Sequence, residues 1–252
     1  MSHHLVSAAD LRFAYPDGTE ALRGVSFVIH HGESVGLVGA NGAGKSTLLL
    51  HLAGALLPTS GQVRVGDWPV TASTLPQIRR SLGLVFQDAD DQLFMPTVGD
   101  DVAFGPLNLG LPPAEVDRCV AAALERVGAA HLRDRPSHRL SGGEKRLAAI
   151  AAVLSSSPDI LVMDEPSANL DPAARRRILS LLRSFEHTKI VASHDLDLVL
   201  DVCARTIVLH EGRVAADGPS AEILADARLL EPVRLEPPLR LQACPRCGGA
   251  AR

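Results

Sequence analysis

The chain has 252 residues, 46% hydrophobic and 21% charged, the proportions of a globular protein with room for one α/β core and an inserted lobe. Its 29 acidic residues outnumber 25 basic ones, and a formal charge of -4 excludes a protein that coats nucleic acid through a basic face. Apolar runs such as "LAAIAAVL" (147–154) fall far short of the roughly 20 residues that cross a bilayer, and "MSHHLVSAAD" lacks a signal-peptide layout, so a cytoplasmic location is expected.

In chain order, the apolar run "SVGLVGA" (34–40) predicts a buried strand, and "LLLHLAGALL" (48–57) predicts a helix. Between them lies "GANGAGKST", comprising Gly39, Ala40, Asn41, Gly42, Ala43, Gly44, Lys45, Ser46 and Thr47. A glycine-rich turn between strand and helix aims backbone N–H groups and a positive helix end at phosphates. Lys45 can reach the outer phosphates and Ser46 can offer a hydroxyl to Mg²⁺.

The next stretch, "FQDADDQLFM" (86–95), sets three aspartates between two glutamines and then turns apolar. As a calcium loop counted from Asp88 it fails, because the sixth position is Leu93 and the twelfth is Gly99. A solvated turn and a docking surface remain. "PPAEVDRCVAAALERVG" (112–128) then carries Val116, Val120, Leu124 and Val127 at helical spacing, with Pro113 near its start and Gly128 at its stop. Residues 88–155 read as a mostly helical lobe inserted into the core.

In "LSGGEKR" (140–146), Ser141 and two glycines open a helix and present a second set of exposed N–H groups. A second phosphate cradle makes sense if it serves a nucleotide held by another copy. The strand-like "DILVMDE" (159–165) ends in two carboxylates. Asp164 is placed to hold Mg²⁺ and Glu165 to polarise an attacking water. "KIVASHD" (189–195) predicts a third core strand. Four cysteines without regular spacing, Cys119, Cys203, Cys244 and Cys247, fit a reducing compartment. In the loose tail, Cys244 and Cys247 form half of a zinc site that two tails could complete in a dimer.

Together these motifs resemble an ATP-binding-cassette (ABC) ATPase from Tyr15 to about Gly218. The resemblance implies an α/β fold: a RecA-like P-loop NTPase core with a mostly parallel sheet, an antiparallel β subdomain and the inserted helical subdomain. The ATPase domain would span 1–230 and the tail 231–252. Tyr15 matches the aromatic that stacks on adenine. Gln87 matches the glutamine that senses Mg²⁺ and the attacking water, and His194 the switch histidine at the γ-phosphate. "SANLD" (167–171) matches the segment that crosses a dimer interface, and Pro172 then starts a helix.

The resemblance further implies a head-to-tail dimer, with a second copy or a paralogue. ATP and Mg²⁺ would be sandwiched between the phosphate loop of one subunit and Ser141, Gly142, Gly143 and Glu144 of the other. The run from Phe86 to Leu111 is similar to that of energy-coupling-factor transporter ATPases, especially the cobalt/nickel uptake branch. Partners would be a transmembrane scaffold and a substrate-binding membrane protein, at the cytoplasmic face of the membrane, with no direct nucleic acid. Asp88, Asp90 and Asp91 are expected to line a groove floored by Leu93, Phe94 and Phe104 that receives a scaffold helix. An amino-acid or polyamine importer or an exporter component is the alternative among transporters. A soluble cassette acting on DNA or ribosomes is the rival outside transport, against which the short interval from Lys45 to Ser141 leaves no room for a long coiled coil.

Overall fold

The computed structural model describes residues 5–168 and 170–242. Two sheets organise it. Strands β1 (Val6–Ala14), β2 (Glu20–Ile29), β4 (Ser60–Val65) and the short β5 (Trp68–Pro69) form an antiparallel sheet in the order β2-β1-β4-β5. The second sheet has the order β10-β9-β3-β8-β7-β6, built from β3 (Ser34–Val38), β6 (Leu82–Val85), β7 (Ile160–Asp164), β8 (Thr188–Ala192), β9 (Arg205–His210) and β10 (Arg213–Pro219). Its strands pair in parallel except for β10, which runs antiparallel along β9.

The parallel sheet is covered on both faces. Ile160 and Val162 of β7 join one core with the antiparallel sheet and helix α1 (Lys45–Leu52), while Leu161 and Met163 join the other. That alternation explains why an unbroken apolar run reads as a strand here: every residue of β7 is buried. At the carboxyl end of β3 the chain turns through the phosphate-loop sequence into α1. Gly44 caps that helix at φ 103, where an added Cβ would lie 2.7 Å from the Ala21 carbonyl oxygen. Only glycine fits there. The helix ends at Leu52 rather than continuing to Leu57 as the apolar run suggested. Gly54 breaks it with φ 68, its Cα lying so close to Leu75 that a Cβ would meet that side chain at 2.3 Å.

Helix α2 (Leu75–Ser81) leads into β6, after which the chain is helical until β7: α3 (Val98–Asn108), α4 (Pro113–Arg126) and α5 (Gly142–Leu154). A reciprocal cap between Thr97 and Asp100 starts α3. In α4 the predicted apolar positions Val116, Val120 and Leu124 are buried, as is Val127 just past its end, and Gly128 follows at φ 70. Helix α6 (Pro172–Ser184) has Asp171 as N-cap and Pro172 as its first residue. Helix α7 (Leu196–Val202) packs on β3, and the short α8 (Ser220–Ile223) and α9 (Ala227–Leu230) follow β10. Cys244 and Cys247 lie outside the described residues.

Candidate active site

The carboxyl ends of β3 and β7, the start of α1 and the turn after β8 converge on one cleft of about 710 Å³. This is where an open α/β sheet places its ligand. The cleft is lined by the whole loop from Gly39 to Thr47, with Tyr15, Gln87, Asp164, Glu165 and His194. A Cβ at Gly42 would meet nothing within 4 Å, so the loop backbone opens directly onto the cleft. Lys45 Nζ donates to the Gly39 and Ala40 carbonyls at 2.7 and 3.2 Å, and burial pushes its pKa down against the pull of Glu165 and Asp164. A buried ammonium held by loop carbonyls is ready for phosphate oxygens.

Burial raises the Asp164 pKa, while a hydrogen bond from Ser46 opposes the rise. Hydroxyl, carboxylate and the nearby Gln87 amide form an oxygen donor set that suits Mg²⁺. Glu165 is fixed from several sides. Its carboxylate accepts from the Ser193 hydroxyl at 3.0 Å and from the His194 amide at 3.0 Å, and His194 Nδ1 lies 2.9 Å from Oε2. The Glu165 backbone is left-handed at φ 48, a conformation that costs a non-glycine residue of order 1–3 kcal/mol. The Glu165 N–H donates to the Ala192 carbonyl at 2.8 Å, which anchors this turn to the end of β8.

Behind His194 stands Asp195. Its carboxylate caps α7 through the Leu198 amide at 3.0 Å and accepts from Arg175 of α6 at 2.8 Å and from Ser167 at 3.4 Å. Its own amide donates to Ser193 Oγ at 3.1 Å. A continuous set of bonds therefore joins α6 to the carboxylate of Glu165. Tyr15 donates or accepts a 3.0 Å bond with Thr47 and packs edge-on against Phe13, at the mouth of the cleft.

Ser141, Gly142, Gly143 and Glu144 do not line this cleft. They open α5, where Ser141 and Glu144 cap each other, and Arg135 holds the outer carboxylate oxygen of Glu144 at 3.0 Å. The Glu144 carboxylate is thus engaged at the helix start, and the glycine amides are left presented. Helix α5 is also fastened to the turn after β6. Buried Arg146 donates to the Phe86 carbonyl at 2.6 Å and to the Gln87 carbonyl, and Gln92 donates to the Ala149 carbonyl at 2.9 Å.

Asp88, Asp90 and Asp91 line a groove of about 540 Å³, as expected, but its other walls include Leu49, Leu50, Leu84 and Phe86 rather than Leu93, Phe94 and Phe104. Asp88 caps a single turn of 3₁₀ helix at Ala89–Asp91, Asp90 pairs with Lys145, and Leu93 is buried in the helical core rather than flooring a groove. Phe94 and Phe104 are 64% and 44% exposed and meet edge to face at 5.0 Å. Asp101 accepts from the Phe94 and Met95 amides at 2.9 and 3.0 Å and so fixes the backbone that presents Phe94. Reading the sequence missed Arg146, Ser193, Asp195 and Arg175. Only "ASHD" carried a local hint, a hydroxyl and a carboxylate flanking the histidine.

This geometry is that of a P-loop ATPase whose second cradle lies outside the cleft formed by its own phosphate loop. Residues 22–168 match the family model described as ABC transporter. The chain is 69% identical to a protein of Geobacter sulfurreducens provisionally named an ABC transporter ATP-binding protein, over 98% of this chain and 100% of that one. It is 43% identical to the energy-coupling factor transporter ATP-binding protein EcfA of Methanocaldococcus jannaschii, over 93% of this chain and 86% of that one. Among solved structures, CbiO1 of Clostridium perfringens, part of the ABC transporter complex CbiONQ, superposes with a TM-score of 0.78 at 39% identity, covering 92% of this chain and 95% of that one. The chain belongs to the ABC transporter family, as an ATP-binding subunit that hydrolyses ATP to drive transport. No helix among the described residues is long and apolar enough to cross a membrane, and ATPases of this family work with transmembrane components.

Proposed function

We propose that this chain is the motor subunit of an energy-coupling-factor importer, with cobalt, nickel or a vitamin as cargo, acting at the cytoplasmic face of the membrane. The exposed Phe94–Phe104 pair carries the reading. It is an apolar contact surface built on the segment that follows Gln87, and α5 is tied to the same segment. A membrane component seated on these rings would feel the nucleotide through Gln87 and the helix that opens with Ser141. Similarity to EcfA and to CbiO1 supports the same branch.

In the cleft, Glu165 takes a proton from the attacking water while Ser193 and the His194 amide hold its carboxylate in place. His194 contacts the γ-phosphate, Lys45 and the loop amides hold the phosphate chain, and Tyr15 swings from Thr47 to stack on adenine. Ser46, Gln87 and Asp164 hold Mg²⁺, which when bound neutralises charge on the outer phosphates. The cradle at Ser141, Gly142 and Gly143 serves the nucleotide of the facing subunit, so two chains make two sites. Pull-down of the chain from its own membranes in mild detergent, with mass spectrometry of the membrane proteins recovered and cobalt and nickel uptake measured with and without the chain, tests the branch. Uptake of neither metal, with recovery of a different type of membrane domain, refutes it.

A further inference from the structure

The nucleotide cleft has a wall that none of the motifs above supplies. Arg234 and Leu235, beyond the 22–168 segment that defines the family, line it together with the phosphate loop and His194. Their placement is built in. After α9 a single 3₁₀ turn at Glu231–Val233 buries Val233, and Leu230 is fully buried. The Arg234 amide donates to the Glu231 carbonyl at 3.0 Å, and the Leu235 amide to the Leu230 carbonyl at 3.0 Å. Leu235 packs on the helical core. Arg234 itself stands exposed in a left-handed turn at φ 59. Backbone strain of that kind persists where the surroundings enforce it.

Its side chain has no hydrogen-bond or ion-pair partner among the described residues, whereas Arg135, Arg175, Arg205 and Arg240 each hold a carboxylate. Charge in the cleft is lopsided without it. Lys45 is already shared with two carbonyls and faces two carboxylates, and a nucleoside triphosphate adds several more negative charges. A planar guanidinium is suited to such oxygens.

We infer that Arg234 is a nucleotide-binding residue that reaches the polyphosphate of the ATP held by its own chain, so that the segment after the cassette completes the site. The inference rests on the cleft being the ATP site. Calorimetric titration of the full chain with ATP and with inorganic triphosphate, at low and high salt, tests it on Arg234→Ala, Arg234→Lys and Arg234→Gly; the last suits the left-handed backbone and guards against misfolding. Arg234→Ala and Arg234→Gly should weaken both ligands about tenfold at low salt and by less at high salt, with Arg234→Lys between them and wild type. Affinities within about twofold of wild type for the folded Ala and Gly variants overturn it, and so does a loss for ATP but not for triphosphate. Lys45→Ala in the same titration keeps the two readings apart. If that variant binds ATP as tightly as wild type, the phosphate-loop assignment fails, whatever happens at Arg234.

Discussion

Lys145 Nζ lies 2.5 Å from Asp90 Oδ1, joining the helix that opens with Ser141 to the turn that follows Gln87 across 55 positions of sequence. The bond changes what the acidic turn can do. Asp90 is committed to Lys145 and Asp88 turns one oxygen to the amide of Asp90, which leaves Asp91 as the carboxylate of the three with no hydrogen-bond or ion-pair partner among the described residues.

Asp91→Asn alone should therefore weaken copurification with a membrane component, most at low salt and by less as salt is raised, whereas Asp90→Asn should mainly loosen α5 from the turn. Asp90 is largely exposed, so its loss should lower unfolding free energy by less than about 1 kcal/mol in urea titrations. Equal copurification of both variants with wild type at all salt concentrations would show that the turn is only solvated.

Glu165→Gln should bind ATP with near-normal affinity, lose at least about a hundredfold in turnover and accumulate as an ATP-bound dimer, because an amide cannot take the proton from water. Single-turnover hydrolysis and size-exclusion chromatography with ATP check both parts. Near-normal turnover would remove Glu165 from the proton-accepting role.

Replacing Phe94 and Phe104 together with serine should leave ATP binding by the purified chain unchanged, since neither ring lines the cleft. It should abolish copurification with the membrane component and uptake in cells. Uptake at the wild-type level would place the docking surface elsewhere on the molecule.

Asp101 supplies a pH-dependent prediction. Burial holds its carboxyl above the ordinary value near 3.8, and the Met95 and Phe94 amides only partly oppose the shift. A folded pKa above the unfolded one means that the folded state binds the proton more tightly. The associated stability is fully present below the unfolded value and is lost as pH rises through the raised folded value. Denaturant titrations from about pH 4 to about pH 7 should show this decline in wild type and a flatter profile in Asp101→Asn. Asp101→Ala should lose about 1–2 kcal/mol more, through the two amides left without an acceptor.

Local signals in the sequence carried much of the fold. The buried strand β7 announces itself by four consecutive apolar residues, and α4 by four valine and leucine positions at helical spacing, all of which lie inside. Where the sequence misled, a tertiary contact decided. The apolar run after the phosphate loop continues to Leu57, but Leu75 presses on the chain at Gly54 and the helix ends at Leu52. Leu93 looked like part of an outward groove because it sits beside Phe94, yet the turn rotates one residue in and the next one out. Arg146 and Arg175 were invisible as site residues because their partners, the Gln87 carbonyl and Asp195, are brought near only by the folded sheet.

The left-handed backbone at Glu165 has a consequence for how such chains diverge. Glycine or asparagine would sit there with less strain, by up to about 1–3 kcal/mol. Losing the carboxylate would leave the Ser193 hydroxyl and the His194 amide short of an acceptor, a loss of comparable size. The two effects nearly cancel, so a chain of this kind can fall silent as an enzyme with little change in its ability to fold. Duplicated copies are then free to specialise, one keeping the chemistry and the other remaining as a nucleotide-responsive half of an unequal pair.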